Sequence, residues 1–144
     1  MPLLGRDVWM QYAPDHDESW SAYGVEALQS VLDLPISERA RLQELLLASY
    51  RFHASVTDYG VGGDPRDPFG IQSGAEAERQ AGEPWVTVVD PPARQEGEAP
   101  RVAMIGYYPV WEDEHGVFVV VRDHRLVGLA GDPTDPSVFD GHLE

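Results

Sequence analysis

Residues 117–130, VFVVVRDHRLVGLA, constrain the fold more than any other stretch. Five apolar residues run without alternation at 117–121, which fits a central strand covered on both faces or nearly so. Only Asp123 and His124 separate Arg122 from Arg125, too short a link for anything but a tight reversal, so RLVGLA at 125–130 must return antiparallel. A sheet with such an interior strand needs further strands beside it and a layer packed upon it.

The rest of the chain supplies both. WVTVV at 85–89 and RVAMIGYYPVW at 101–111 read as strands joined by a polar link, DPPARQEGEAP. Pro109 cannot donate a ladder bond, so an edge or bulge is expected there. Near the N-terminus Val8, Met10 and Tyr12 alternate with polar residues in RDVWMQY at 6–12, the pattern of a short strand. The layer is helical. A first helix is expected over about 20–32, capped by Asp17 or Ser19 and closed by Pro35. The second follows from SERARLQELLLASYRFHASV, where Leu42, Leu45, Leu46, Ser49, Phe52, His53 and Val56 share one stripe. Ser37 is its expected N-cap, with Glu38 beside the positive end of the dipole, and Tyr59-Gly60 its end.

These elements make a single α+β domain over residues 1–144: N-terminal helices packed on one face of an antiparallel sheet that ends in a three-stranded meander. Residues 60–84 form a long Gly- and Pro-rich connection with a short helix over 73–81, and residues 132–144 an acidic tail. At 144 residues and 42% hydrophobic content, the chain should bury roughly 68–70% of its unfolded surface without a metal or disulfide.

Composition excludes several chemistries. There is no cysteine, which removes thiolate catalysis, zinc fingers and iron–sulfur clusters. All 10 basic residues are arginine, so no lysine is present for a Schiff base, a pyridoxal cofactor or a Walker-type phosphate loop. Lysine-free composition also fits the GC bias of a bacterial genome. With a formal charge of −15 the chain repels a phosphate backbone, and a nucleic-acid role is not expected. No apolar run approaches the ~20 residues of a membrane span, and MPLLGRDVWMQYAP lacks the form of a signal peptide. A soluble cytoplasmic protein is expected.

The stretch closest to a motif is WEDEHG at 111–116. As a turn, Trp111 ends one strand, Asp113 and Glu114 take the helical positions of a type I turn, Gly116 supplies the positive φ, and Val117 starts the next strand. As a site, Glu112, Asp113, Glu114 and His115 offer oxygen and imidazole ligands, but adjacent turn residues rarely converge on one ion and no H-E-x-x-H set is present. The turn accounts for every residue type except His115. The Asp15 and His16 of DHDE, at 15–18, would complete a mixed carboxylate–imidazole site with Glu114 and His115 if the two segments met; helix capping explains them more simply. His53 reads as a core histidine satisfied by one hydrogen bond. Arg122 and Arg125 oppose each other across the hairpin, which asks for a nearby carboxylate. GVGG at 60–63 has no lysine to make a phosphate cradle, DPTDPSVFDG lacks calcium-loop spacing, and no G-x-S-x-G elbow occurs.

The order WEDEHG at 111–116, VFVVV at 117–121, RDHR at 122–125 and LVGLAG at 126–131 resembles an uncharacterised bacterial domain family with a W-[D/E]-x-E-H-G signature before a C-terminal hairpin. Where that family's turn has glycine, this chain has His124. The resemblance implies no activity, although some similar chains stand near toxin–immunity genes. The functional expectation is a non-catalytic interaction domain, an immunity-type inhibitor of a basic protein partner, with Trp111, Asp113, Glu114, His115 and Gly116 as binding residues and no cofactor or metal. The alternative is a metal-assisted hydrolase built on the carboxylate–histidine cluster.

Overall fold

The computed structural model describes residues 1–12, 22–60, 64–88 and 103–131, with backbone alone at 11, 12 and 23. In chain order the elements are β1 (Trp9–Tyr12), α1 (Ala22–Leu32), a 3-10 turn (Ile36–Glu38), α2 (Arg39–Val56), α3 (Gly74–Gln80), β2 (Trp85–Val88), β3 (Ala103–Tyr107), β4 (Val117–Arg122) and β5 (Arg125–Ala130). Among the described residues no helix is long and apolar enough to cross a membrane. The fold is α+β, as the hydrophobic patterning requires.

The five strands lie in sequence order, β1-β2-β3-β4-β5. From β2 onward each pair is antiparallel, and between β4 and β5 a two-residue link leaves no other arrangement. The pair β1–β2 is parallel, with Trp9 beside Trp85 and Val88 beside Tyr12. A wholly antiparallel sheet was the expectation, and it fails here for a topological reason. All the helices among the described residues lie between β1 and β2, so the chain crosses over the sheet and re-enters in the same direction.

Alternation along the strands divides the sheet into two faces. Val86, Val88, Ala103, Ile105, Tyr107, Val117, Val119 and Val121 join Ala27 and Val31 of α1 and Leu42, Leu45 and Leu46 of α2 in one buried cluster. On the other face Met104, Phe118, Val120 and Ala130 form a smaller buried group with Trp85 and Val127 against it. Burial on both faces is why 117–121 carries no polar alternation. The β4–β5 turn has positive φ at both Asp123 (46°) and His124 (61°), the geometry of a two-residue hairpin that glycine usually supplies. His124 is held there by its amide, which donates to Ser30 Oγ of α1 at 2.7 Å.

Helix α2 departs from its expected ends. Glu38, not Ser37, is the N-cap and makes no side-chain cap bond; its carboxylate instead accepts the Leu126 amide at 3.0 Å. The helix stops at Val56, and Thr57 is already extended, so the left-handed Gly60 (φ 62°) lies beyond it. The buried stripe turns toward Tyr50 and Ala54, leaving Phe52 and Val56 exposed. Residues 64–73 explain that shift. Asp67 accepts the Tyr50 hydroxyl at 2.5 Å and the Ile71 amide at 2.8 Å, with the Gln72 side-chain amide on its other oxygen. Burial, together with the bond to Asp67, pushes Tyr50 up to about 12. Helix α3 then starts with a capping box between Ser73 and Glu76. Strand β3 ends at Tyr107, before Pro109, and no bulge forms at the proline; the sheet irregularity falls at Val120/Val121 instead.

On the smaller face Trp85 pairs in register with Gly106, stacks on Tyr108 at 4.6 Å and meets Phe118 edge-on at 5.9 Å. A Cβ on Gly106 would stand 2.3 Å from the Trp85 ring. Gly106→Ala is therefore expected to displace the indole and destabilise the protein by ~1–3 kcal/mol, the usual range for overpacking. Urea unfolding followed by tryptophan fluorescence checks both parts, and an unchanged midpoint would contradict the packing described.

Candidate functional site

The connection from β3 to β4, residues 108–116, is held by a buried anchor. Trp111 is 2% exposed; its ring edge meets Tyr50 at 5.5 Å and its Nε1–H donates to Ser49 Oγ at 3.2 Å. The Tyr59 hydroxyl donates to the Trp111 carbonyl at 2.7 Å. Burial above all pushes that hydroxyl up, against a bond with Thr57 and with help from Glu112 and Asp113, so it remains a donor at neutral pH. The Val110 amide donates to the Gln80 carbonyl at the end of α3, and the Glu112 amide to the Pro109 carbonyl. Gly116 (φ 81°) completes the path into β4, and a Cβ there would lie 2.9 Å from the Tyr107 carbonyl oxygen.

With Trp111 fixed inward, Glu112 turns toward α2. Its Oε2 lies 3.1 Å from His53 Nε2, and its Oε1 lies 3.2 Å from His115 Nδ1. The same Oε1 accepts the His115 amide at 2.9 Å. One carboxylate thus joins two histidines from separate elements. Burial by itself would raise the Glu112 carboxyl, but the His115 amide, the His115 ring and the charge on His53 outweigh it and hold the group below the ordinary glutamate value.

Hydrogen-bond capacity fixes the protons. His53 Nδ1 sits 2.8 Å from the Ser49 carbonyl oxygen, which can only accept, so Nδ1 carries hydrogen. Nε2 faces the Glu112 carboxylate at 3.1 Å, so His53 is held between a helix carbonyl and Glu112. His115 Nδ1 likewise donates to Glu112, leaving Nε2 without a partner among the described residues.

These groups line a cleft of about 310 Å³ between α2, the end of β5 and the start of β4. Ala48, Phe52, Val117, Leu129 and Ala130 supply its apolar walls, and Glu112, His53 and His115 its polar end. His115 stands at the rim with its side chain 75% exposed.

The expected site residues separate in space. Trp111 ends no strand; it is a core residue inside the connection. Asp113 and Glu114 face solvent. The hydrogen-bonded turn falls at Val110–Trp111, and the stretch around Asp113 and Glu114 is closed by the Glu112 side chain instead. Gly116 has its expected positive φ. His115 binds Glu112, the acid of EDEH that faces inward, and His53 makes two polar contacts rather than one. Asp15 and His16 lie outside the described residues, as do 61–63 and the DPTDPSVFDG stretch. Among the described residues no three histidine or acidic side chains gather as a metal-holding group. Arg122 and Arg125 are register partners, Arg122 Nε is buried without a partner, and no carboxylate among the described residues answers them.

No protein-family model, curated protein or solved structure matches the chain, so the roles of these residues rest on their geometry.

Glu112→Ala removes three acceptor contacts and is expected to cost ~1–3 kcal/mol at pH 7, whereas Glu112→Gln, whose carbonyl oxygen can still accept from His115, costs less. The depressed carboxyl sets the sign of the pH dependence. Its stabilisation is complete above the ordinary glutamate value of 4.5 and disappears as pH falls through the lower native value. Denaturant unfolding of wild type and Glu112→Ala should show a gap that is widest near neutrality and narrows in acid. A pH-independent gap would contradict the ionised carboxylate.

Proposed function

We propose that the protein is a non-catalytic interaction domain that binds a basic protein partner, as an immunity-type inhibitor would, through the β3–β4 connection. One observation carries the reading: exposed and buried residues alternate along that connection. Tyr108 and Val110 are 57% and 50% exposed, while Pro109 between them and Trp111 after them are buried. Asp113 and Glu114 follow, open to solvent.

This pattern has the chemistry of a recognition loop. An aromatic and an aliphatic side chain offer contact area at the centre, where binding energy concentrates. The acids beside them provide the field that speeds encounter with a positive surface, backed by a formal charge of −15. Trp111, Tyr59 and Glu112 hold the backbone in advance, so little ordering entropy is lost on binding. The hydrolase alternative draws less support, because Glu114 is turned to solvent and Glu112 engages the His115 ring.

The test is capture from a lysate of the source cell on immobilised protein at low ionic strength, followed by direct titration of the captured protein. A basic partner is expected, released by added salt as surface charges are screened. The triple variant Tyr108→Ala/Asp113→Asn/Glu114→Gln should weaken it by at least ~2 kcal/mol, the scale of a hot-spot loss. Retention by the variant, or a partner indifferent to salt, would defeat the reading.

A further inference from the structure

We propose that the cleft between α2 and the β4–β5 end binds a small uncharged molecule with an apolar body and one hydrogen-bond donor, of the phenol or alcohol class. The inference is independent of the protein-binding role, which uses the outer surface of the same connection.

Size comes first. At about 310 Å³ the cleft lies at the lower end of the range of ligand pockets, ~300–1,000 Å³. Its walls of Ala48, Phe52, Val117, Leu129 and Ala130 favour an apolar body. The polar end determines what that body must carry. His53 spends Nδ1 on the Ser49 carbonyl and Nε2 on Glu112. Glu112 spends Oε2 on His53 and Oε1 on the amide and ring of His115. His115 Nε2 is the ring nitrogen left open. With Nδ1 donating to the carboxylate, Nε2 is the lone-pair nitrogen of that tautomer, and an acceptor asks for a donor.

Charge narrows the class further. An anion would meet Asp113 and Glu114 nearby and the field of a chain with formal charge −15. A cation would find the one carboxylate of the cleft already engaged by two histidines. A neutral donor meets neither penalty. The carboxylate–histidine pair fixes the tautomer of His115, much as outer-shell carboxylates orient ligating histidines.

The test uses NMR of the full chain, following the methyl resonances of Val117 and Leu129 and the amides of 112–116. Four monocyclic probes of similar size are titrated: phenol, anisole, benzoate and benzylamine. Phenol is expected to give saturable shifts with a dissociation constant on the order of millimolar, as suits so small a ligand. Anisole, without a donor, should bind about threefold to tenfold more weakly, and His115→Ala should weaken phenol by the same factor. Ala48→Phe, at a partly exposed helix position, should fill the cleft and abolish the shifts while Gly106 and Val86 resonances show the fold intact. Four results would overturn the proposal: no saturable shift with phenol, phenol shifts that survive Ala48→Phe, benzoate or benzylamine binding as tightly as phenol, or phenol binding His115→Ala as tightly as wild type.

Discussion

Two buried serines organise the last two reversals of the sheet. Ser30 on α1 and Ser49 on α2 are the buried polar side chains among the described residues, and each receives one hydrogen bond from a distant segment. Ser49 takes the Trp111 indole N–H and fixes the β3–β4 connection. Ser30 takes the His124 amide and fixes the β4–β5 turn. In a dry interior a lone hydroxyl or indole N–H costs its full desolvation, so each bond is worth more by its absence than by its presence. The helices thereby set the places where the strands turn. Without Ser30 nothing described would satisfy the amide of a histidine held at positive φ, and without Ser49 the indole of Trp111 would have no acceptor.

The acids extend the same logic to the loops. Asp67 accepts the Ile71 amide, Glu76 those of Gln72 and Ser73, Glu112 that of His115, and Glu38 that of Leu126. Backbone donors outside helix and ladder need partners, and an ionised carboxylate is a strong one. Asp67, Glu76 and Glu112 are all held below their ordinary values. The bond from Tyr50 contributes most at Asp67 and the Gln72 amide at Glu76, while at Glu112 hydrogen bonds and histidine charge overcome burial. Part of the negative charge is thus structural, consumed in closing loops. The acids left in solvent are the ones that can act on a partner.

Local pattern revealed some of this and could not reveal the rest. Both strands of the terminal hairpin are legible to the residue, because composition and a two-residue link leave one solution. The body of α2 is legible from its leucines. Its last turns are not: whether Phe52 or Tyr50 is buried depends on Asp67 and Trp111, which arrive from far along the chain. The parallel β1–β2 pair is hidden for a related reason, since alternation marks a strand without marking its direction. At the candidate site, Glu112, Asp113 and Glu114 are three equivalent carboxylates on paper. The tryptophan beside them was visible, but as a strand end, and a strand end gives no reason to prefer the first acid. His53 was visible too, as a member of an apolar stripe, with nothing to link it to a residue on another element.

Burial of Trp111 resolves that degeneracy. Once the indole is committed to the core, its neighbour Glu112 is carried under α2 and Asp113 and Glu114 are carried past it into water. The single anchor therefore makes two surfaces of opposite character. Inside is a closed set of hydrogen bonds in which every carboxylate oxygen and all but one imidazole nitrogen are engaged. Outside is an open acidic and aromatic edge. Because the two surfaces share their support but no contact residue, damage to Trp111 would abolish both, while changes at Tyr108 or at Ala48 would separate them. A histidine that no turn requires is accounted for on these terms: its amide and Nδ1 close the loop onto Glu112, and its Nε2 is what the closed loop still has to offer.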